Sequence, residues 1–174
     1  MTDTTIFTVG HSTHPIEEFI DILKAHGIKK LIDVRTVPKS RHNPQFNSDT
    51  LAASVRANGI TYRRMASLGG LRHTSRDSAN GAWRNASFRG YADYMQTEEF
   101  SAAIGQLLER GRNNDAAIMC AEAVPWRCHR SLIGDALLVR GAEVLDIMTE
   151  KSAKPHTLTS FARVDGHRVW YPAD

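Results

Sequence analysis

Cysteine is scarce: the 174 residues contain two. Two thiols cannot build a disulfide framework, so a reducing compartment is expected, and the protein is read as cytoplasmic with both thiols free. Long apolar runs are missing as well. Nothing approaches the ~20 apolar residues of a membrane span, and the first residues do not pair a basic segment with a signal-type apolar core. No membrane association is expected. Neither G-x-G-x-x-G nor G-x-x-x-x-G-K-S/T occurs, which argues against the usual nicotinamide fingerprint and against P-loop nucleotide hydrolysis. C-x-x-C and H-E-x-x-H are absent too, so ligand spacing points to no metal site, and no cofactor is predicted. Nor does one sign of charge dominate: 22 basic residues face 19 acidic ones, for a net +3. That balance, with a pI near 9.0, permits anionic partners without requiring nucleic acid.

What is present is ordinary for a soluble globular protein, 41% apolar and 24% charged, and long enough to enclose a core. A single α/β domain over residues 1–174 is expected, with an irregular insertion at about 66–95 and a tail at about 151–174. Thr5-Ile6-Phe7-Thr8-Val9 is β-rich and ends at Gly10-His11-Ser12. Ile16, Phe19, Ile20 and Leu23 give a helical stripe, with Glu17 and Glu18 in its first turn and Gly27 beyond its end. Lys30 to Val34 reads as a second strand, followed by Arg35 and a proline-marked loop. Ser48 is a candidate cap for a helix carrying Leu51 and Val55, closed by Asn58-Gly59. Ile60 to Met65 is a third strand. Leu68-Gly69-Gly70-Leu71 opens the insertion, whose length suggests a lid or binding segment. Phe100, Ile104, Leu107 and Leu108 mark another helix, and Glu143 to Met148 a fifth strand. Arg168-Val169-Trp170-Tyr171 is a candidate edge strand.

The most informative stretch runs from Ala116 to Leu138 and holds both cysteines. Ala116 to Met119 reads as a buried strand, Cys120 to Arg130 as a polar loop, and Leu132, Ile133, Ala136 and Leu137 as a helix that Gly141 ends. Pro125 suits a first helical turn. Arg127, His129 and Arg130 then fall near a helix start, where the dipole disfavours cations by roughly 0.3–1 kcal/mol each. A bound anion would reverse that cost. The alternative is a structural network in which Glu122 and other carboxylates neutralise the arginines.

Strands alternating with helices predict a doubly wound, mostly parallel five-stranded sheet of Rossmann or flavodoxin-like type. In such sheets ligands sit outside the carboxyl ends of the strands. Gly10, His11 and Ser12 follow strand one, Asp33 and Arg35 end strand two, and Cys120, Glu122 and the arginine cluster follow strand four.

With those residues in view, the chain resembles the bacterial and archaeal family catalogued as domain of unknown function 488. The likeness lies in Thr8 to Ser12, Leu31 to Arg35 with Pro38 and Ser40, Leu68-Gly69-Gly70, Met119 to Glu122 through Pro125 to Cys128-His129-Arg130, and Gly141 to Ile147. The resemblance implies a compact α/β domain of soluble microbial proteins. It implies no activity.

The candidate site therefore comes from the residues. Glu122, Cys128 and His129 are the candidate catalytic groups, and Gly10, His11, Ser12, Arg35, Arg127 and Arg130 the candidate anion holders. Cys128 near a helix start would have a stabilised thiolate, whereas Cys120 reads rather as a small buried apolar residue. Six residues separate Cys120 from Arg127, one more than in the phosphate loop of cysteine phosphatases. Asp33 is either a base or the partner of Arg35. Arg72, His73, Arg76, Arg84 and Arg89, interleaved with Trp83, Phe88, Tyr91 and Tyr94, form a candidate rim for substrate or nucleic acid; Lys39, Arg41 and His42 would extend it. Alternatively those aromatics form the apolar face of a helix. The expected function is a hydrolase or group transferase acting on a phosphate-bearing small molecule, such as a nucleotide or nucleoside derivative. The alternatives are a nucleic-acid-binding or DNA-repair-associated module and a thiol or metal redox protein. Oligomeric state is left open.

Overall fold

The computed structural model describes residues 4–70 and 72–174; Leu71, at the head of the expected insertion, lies outside them. Five parallel strands form the body of one sheet: β1 (Thr5–Gly10), β2 (Lys30–Asp33), β3 (Thr61–Arg64), β4 (Ala116–Cys120) and β5 (Glu143–Thr149). A sixth, β6 (Ser152–Pro155), pairs antiparallel with β5, giving the order β3-β2-β4-β1-β5-β6. The expected five strands are thus one short. The added edge is β6 rather than Arg168–Trp170, which pairs as β8 with β7 (Arg163–Asp165) in a separate two-stranded sheet.

The pleat of the sheet sorts its neighbours. Ala117 and Met119 of β4 pack with Phe19, Ile20 and Leu23 of α1 (Ile16–Ala25) and with Leu51 and Val55 of α2 (Ser48–Arg56). Ala116 and Ile118 pack with Tyr91 of α3 (Ala86–Tyr94), Phe100, Ile104 and Leu107 of α4 (Glu98–Arg110), and Leu132 and Ile133 of α5 (Arg130–Val139). Each face therefore carries helices, which is why β4 is buried along its whole length. Chain direction follows from this. The segments leaving β1 and β2 turn to the α1/α2 face, and the one leaving β4 turns to the α5 face. Neighbouring strands whose connections diverge leave a crevice at their carboxyl ends.

Several local readings need correction. Asn47, not Ser48, precedes α2, and its side chain does not cap it, because Asn47 Oδ1 accepts the Ser40 amide at 2.7 Å and ties down the loop before the helix. Pro125 does not open α5. It opens a short 3-10 turn, Pro125–Arg127, and α5 starts afresh at Arg130.

The insertion is stitched down rather than left as a lid. Asp93 of α3 accepts hydrogen bonds from Thr74 Oγ1, the Ser75 amide, Ser78 Oγ and Asn80 Nδ2. Burial pushes its carboxyl pKa up, but those hydrogen bonds prevail and hold it below the ordinary range. Asn80, fully buried, also accepts the Tyr171 amide and so joins the insertion to the tail. The aromatics Phe88, Tyr91 and Tyr94 pack against the core, as the helical-face alternative has it.

A second fastening lies under the tail. His156 has Asp146 at 2.9 Å from Nδ1 and Asp135 at 3.0 Å from Nε2. Asp135 also accepts the Tyr171 hydroxyl at 2.8 Å and the Thr159 amide at 3.2 Å, and Asp146 accepts Thr8 Oγ1. Burial alone would lower the imidazole pKa, but its hydrogen bonds and the two carboxylate charges win and raise it to about 9. The ring sits so close to α5 that a Cβ on Gly134 would stand 2.8 Å from His156 Nε2.

Candidate functional site

Loops from three strand ends meet at the crevice. Backbone pairing continues past the strands: the His11 amide donates to Cys120 O, Ser12 to Ala121 O and Val34 to Met119 O, each at 3.0 Å. This ladder holds the three loops in register. It also changes the reading of Gly10-His11-Ser12, because the His11 and Ser12 amides are engaged by carbonyls and do not form an anion cradle. Gly10 serves a different need. A Cβ there would fall 1.6 Å from Glu122 O, so only glycine lets the loop after β4 cross β1.

His11 and Arg35 are buried beneath the crevice. Arg35 grips Asp33 through Nε at 2.9 Å and Nη2 at 2.8 Å, and Asp33 accepts the Tyr62 hydroxyl as well. Asp33 is thus the partner of Arg35, which also lines the cleft. Burial and Asp33 push the Tyr62 hydroxyl pKa upward. His11 stacks on Phe46 with ring centres 4.2 Å apart, its Nδ1 is 2.8 Å from Ser12 O, and its Nε2 is 3.5 Å from Arg35 Nη1. Burial lowers its pKa. These contacts assign a neutral ring with the proton on Nδ1.

Above this layer opens a cleft of about 400 Å³, lined by Arg35, Thr36, Val37, Gly70, Ser87, Phe88, Tyr91 and the β4 loop residues Cys120, Ala121, Glu122, Arg127, Cys128 and His129. Volume does not single it out, since a cleft of about 390 Å³ lies across the Pro125–Arg127 turn, with Trp83 and Trp126 in its wall and His156 and Asp146 in its lining. Chemistry does. In the second cleft both carboxylate-bound ring nitrogens of His156 are already engaged. In the first, Glu122 and Arg127 are exposed, and among the described residues neither side chain has a hydrogen bond or ion pair.

The thiols form the recessed part of the cleft. Cys120 and Cys128 are 2% and 7% exposed; Cys120 Sγ lies 3.6 Å from Glu122 O, and each thiol shifts the other's pKa. Their surroundings differ. Burial raises the Cys120 pKa, but the Cys128 thiol and the charge of Arg130 outweigh burial and leave it lowered. Cys128 is pushed up, by Cys120 first and by burial second. Of the two thiols Cys120 thus has the lower pKa, whereas proximity to a helix start in the sequence favours Cys128. The helix-start amide is indeed occupied: the Arg130 N–H donates to Cys128 Sγ at 3.4 Å.

Arg130 is the least expected side chain. It is completely buried, not displayed at the helix start, and its guanidinium runs back under the loop to Thr8 Oγ1 at 3.0 Å and to Glu122 O at 3.2 Å. Among the described residues no carboxylate hydrogen-bonds it directly; Thr8, which accepts from it, donates on to Asp146. Its Nε is buried with no hydrogen-bond partner. His129 Nε2 donates to Val34 O at 2.7 Å, which leaves Nδ1 unprotonated 3.5 Å from Cys128 Sγ. Burial lowers the pKa of this ring as well.

The candidate basic rim separates into two groups. Arg72 donates to Gly69 O and covers the Tyr94 ring at 3.7 Å, and Arg89 donates to Thr74 Oγ1 and Trp83 O. Both brace the insertion, because their donors find carbonyls closer than solvent. His73, Arg76 and Arg84 are exposed, but Arg84 lines a different hollow beside Arg163 and Phe161. Among the described residues no group of three or more His, Cys, Asp or Glu is arranged to hold a metal ion, and none of the helices is long and apolar enough to cross a membrane.

The chain belongs to the family described as Domain of unknown function DUF488, whose model matches residues 15–137, more than half of the 174. Every residue lining the first cleft falls inside that span, whereas Asp146 and His156 fall outside it. Searches of curated proteins and of solved structures gave no match.

Proposed function

We propose that the cleft at the carboxyl ends of β2 and β4 is the active site of an enzyme, a hydrolase or group transferase, that acts on a phosphate-bearing small molecule such as a nucleotide or nucleoside derivative. One observation carries the reading: an unpaired cation, Arg127, and an unpaired carboxylate, Glu122, border the same cleft, while Arg35 and Asp33 beneath them pair with one another. A volume of about 400 Å³ lies in the range that takes a small ligand. Arg127 would clamp the anion, since a guanidinium matches two phosphate oxygens at once. Glu122 would accept or deliver the proton. Cys120, kept anionic by Arg130, would be the nucleophile, with Cys128 and His129 holding it in place.

The nucleic-acid reading loses support because Arg72 and Arg89, its central residues, are engaged within the insertion. The test is calorimetric titration with inorganic phosphate and with mononucleotides, followed by turnover of any nucleotide that binds. The reading expects saturable binding in wild type that Arg127→Ala weakens, and turnover that Glu122→Gln abolishes with little change in affinity. Binding only to long oligonucleotides, with a steep dependence on salt, would replace it with the nucleic-acid module.

A further inference from the structure

We propose that Cys120 and Cys128 are a dithiol that hydroperoxides oxidise to a disulfide across the 121–127 loop. Three features of the geometry lead there. First, both sulfurs are recessed yet line an open cleft, so a small oxidant reaches them while a protein disulfide does not. Second, both sulfurs gather at Arg130: its amide donates to Cys128 Sγ at 3.4 Å, and its guanidinium shares the Glu122 carbonyl with Cys120 Sγ, at 3.2 and 3.6 Å. No other cysteine exists in the chain to compete. Third, the guanidinium of Arg130 is wholly buried, and among the described residues it hydrogen-bonds neutral oxygens and has an Nε with no partner. A buried cation in such company favours an anion next to it. The Cys120 sulfur, on the same Glu122 carbonyl as that guanidinium, is the group placed to supply the anion as a thiolate.

The pair is therefore divided into an attacking thiolate and a resolving thiol, the combination that peroxide chemistry uses. The Cys120 thiolate attacks one oxygen of the hydroperoxide and the O–O bond breaks. Cys120 becomes a sulfenic acid, and the alkoxide or hydroxide released takes a proton from solvent. Cys128 sulfur then attacks the sulfenic sulfur. Its proton passes to His129 Nδ1, 3.5 Å away and unprotonated, and from there to the departing hydroxide, which leaves as water. The sum is two thiols and one hydroperoxide giving one disulfide, one alcohol or water, and one further water. Two electrons leave sulfur and two reach oxygen. The disulfide would tether the loop that carries Glu122 and Arg127 and remove the thiolate beside Arg130, so oxidation would switch off the cleft; only this last consequence rests on the proposed enzyme activity.

The test is mass spectrometry of the folded, reduced chain after stoichiometric hydrogen peroxide, without reductant. The expected product is an intramolecular Cys120–Cys128 linkage. In Cys128→Ser the reaction should stop at a sulfenic acid that dimedone traps on Cys120. In Cys120→Ser peroxide consumption should fall by at least ~10-fold, the loss expected when a lowered thiol pKa is replaced by a raised one. Circular dichroism checks that both variants fold. If either does not, rate-resolved alkylation of wild type decides, with Cys120 modified before Cys128 expected and the reverse order overturning the proposal. Peroxide that leaves both thiols reduced, a sulfenic acid on Cys128, or a disulfide between two chains would each overturn it. Phosphate titration of the reduced wild-type chain separates the readings: binding with no disulfide after peroxide rejects the dithiol alone, and a disulfide without phosphate binding rejects the enzyme alone.

Discussion

Two polar clusters lie on either side of β1, and they are built on opposite plans. Under the tail, each charge has a counter-charge within hydrogen-bonding distance: His156 lies between Asp135 and Asp146, Tyr171 closes one end and Thr8 the other. At the cleft, Glu122 and Arg127 face each other's solvent without pairing, and Arg130 is buried with an unfilled donor. Thr8 touches both, taking a hydrogen bond from Arg130 and giving one to Asp146. The difference teaches how to tell a strut from a site. Buried polar groups that satisfy one another hold elements together, and groups left unsatisfied at an open surface are where a ligand gains most. Substitutions should therefore separate cleanly, with loss of stability in the closed cluster and loss of binding in the open one.

The largest effect is expected for Asp135→Ala, which strands a protonated His156, the Tyr171 hydroxyl and the Thr159 amide at once. Removing one partner of a buried pair costs about 3–5 kcal/mol, so chemical denaturation should show a loss of that order. Glu122→Gln, at an exposed and unpaired position, should move stability by less than ~0.5 kcal/mol. Equal losses from the two substitutions would erase the distinction.

A pH series sharpens the same contrast. The His156 pKa stands at about 9 when folded against an ordinary 6.5, so the folded state binds this proton more tightly. Its contribution is fully present below pH 6.5 and is lost as pH rises through about 9. The sum is roughly 3 kcal/mol, from ~1.4 kcal/mol per pH unit. Urea midpoints should fall across that window in wild type, and His156→Ala should flatten the fall. A wild-type midpoint that rises there would contradict the clamp.

Gly10→Ala falls between the two regions. Its Cβ would meet the Glu122 carbonyl at 1.6 Å, and since that obstacle is backbone the loop has to move. An overpacking cost of about 1–3 kcal/mol is expected, together with weaker anion binding, because the displaced loop carries Glu122 and Arg127. Loss of stability with unchanged binding would uncouple the loop from the site.

The clusters also differ in how much of them could be read from the chain. Strands with continuous apolar character, such as Ala116 to Met119, and helices with a clear stripe, such as Ile16 to Leu23, follow from periodicity because burial on two faces or one leaves its mark on composition. Strand β6 leaves none. Ser152-Ala153-Lys154-Pro155 has no strand-like pattern, and its pairing with β5 alone makes it a strand. The three loops at the crevice were legible because parallel strands deliver their ends to one edge. What each side chain does there was not. Arg130 follows a helix-start pattern in sequence, yet its long side chain reaches an oxygen on β1, 122 residues away in the chain. Arg72 likewise reads as part of a basic rim and is engaged within the insertion. The closed cluster was missed altogether, although Asp135 interrupts the apolar stripe of Leu132, Ile133, Ala136 and Leu137, and a carboxylate on a buried face calls for a partner. His156 gave no such signal from the tail.

The smallest effect on the fold tests the central claim most directly. Arg127→Ala should leave the denaturation midpoint unchanged and lower affinity for inorganic phosphate, or for a nucleotide that binds wild type, by about tenfold, or ~1.4 kcal/mol. Titration of the two proteins side by side under one buffer gives the answer. Unaltered phosphate affinity in a fully folded Arg127→Ala protein would contradict the account, because the open cleft would then hold its ligand without its exposed cation.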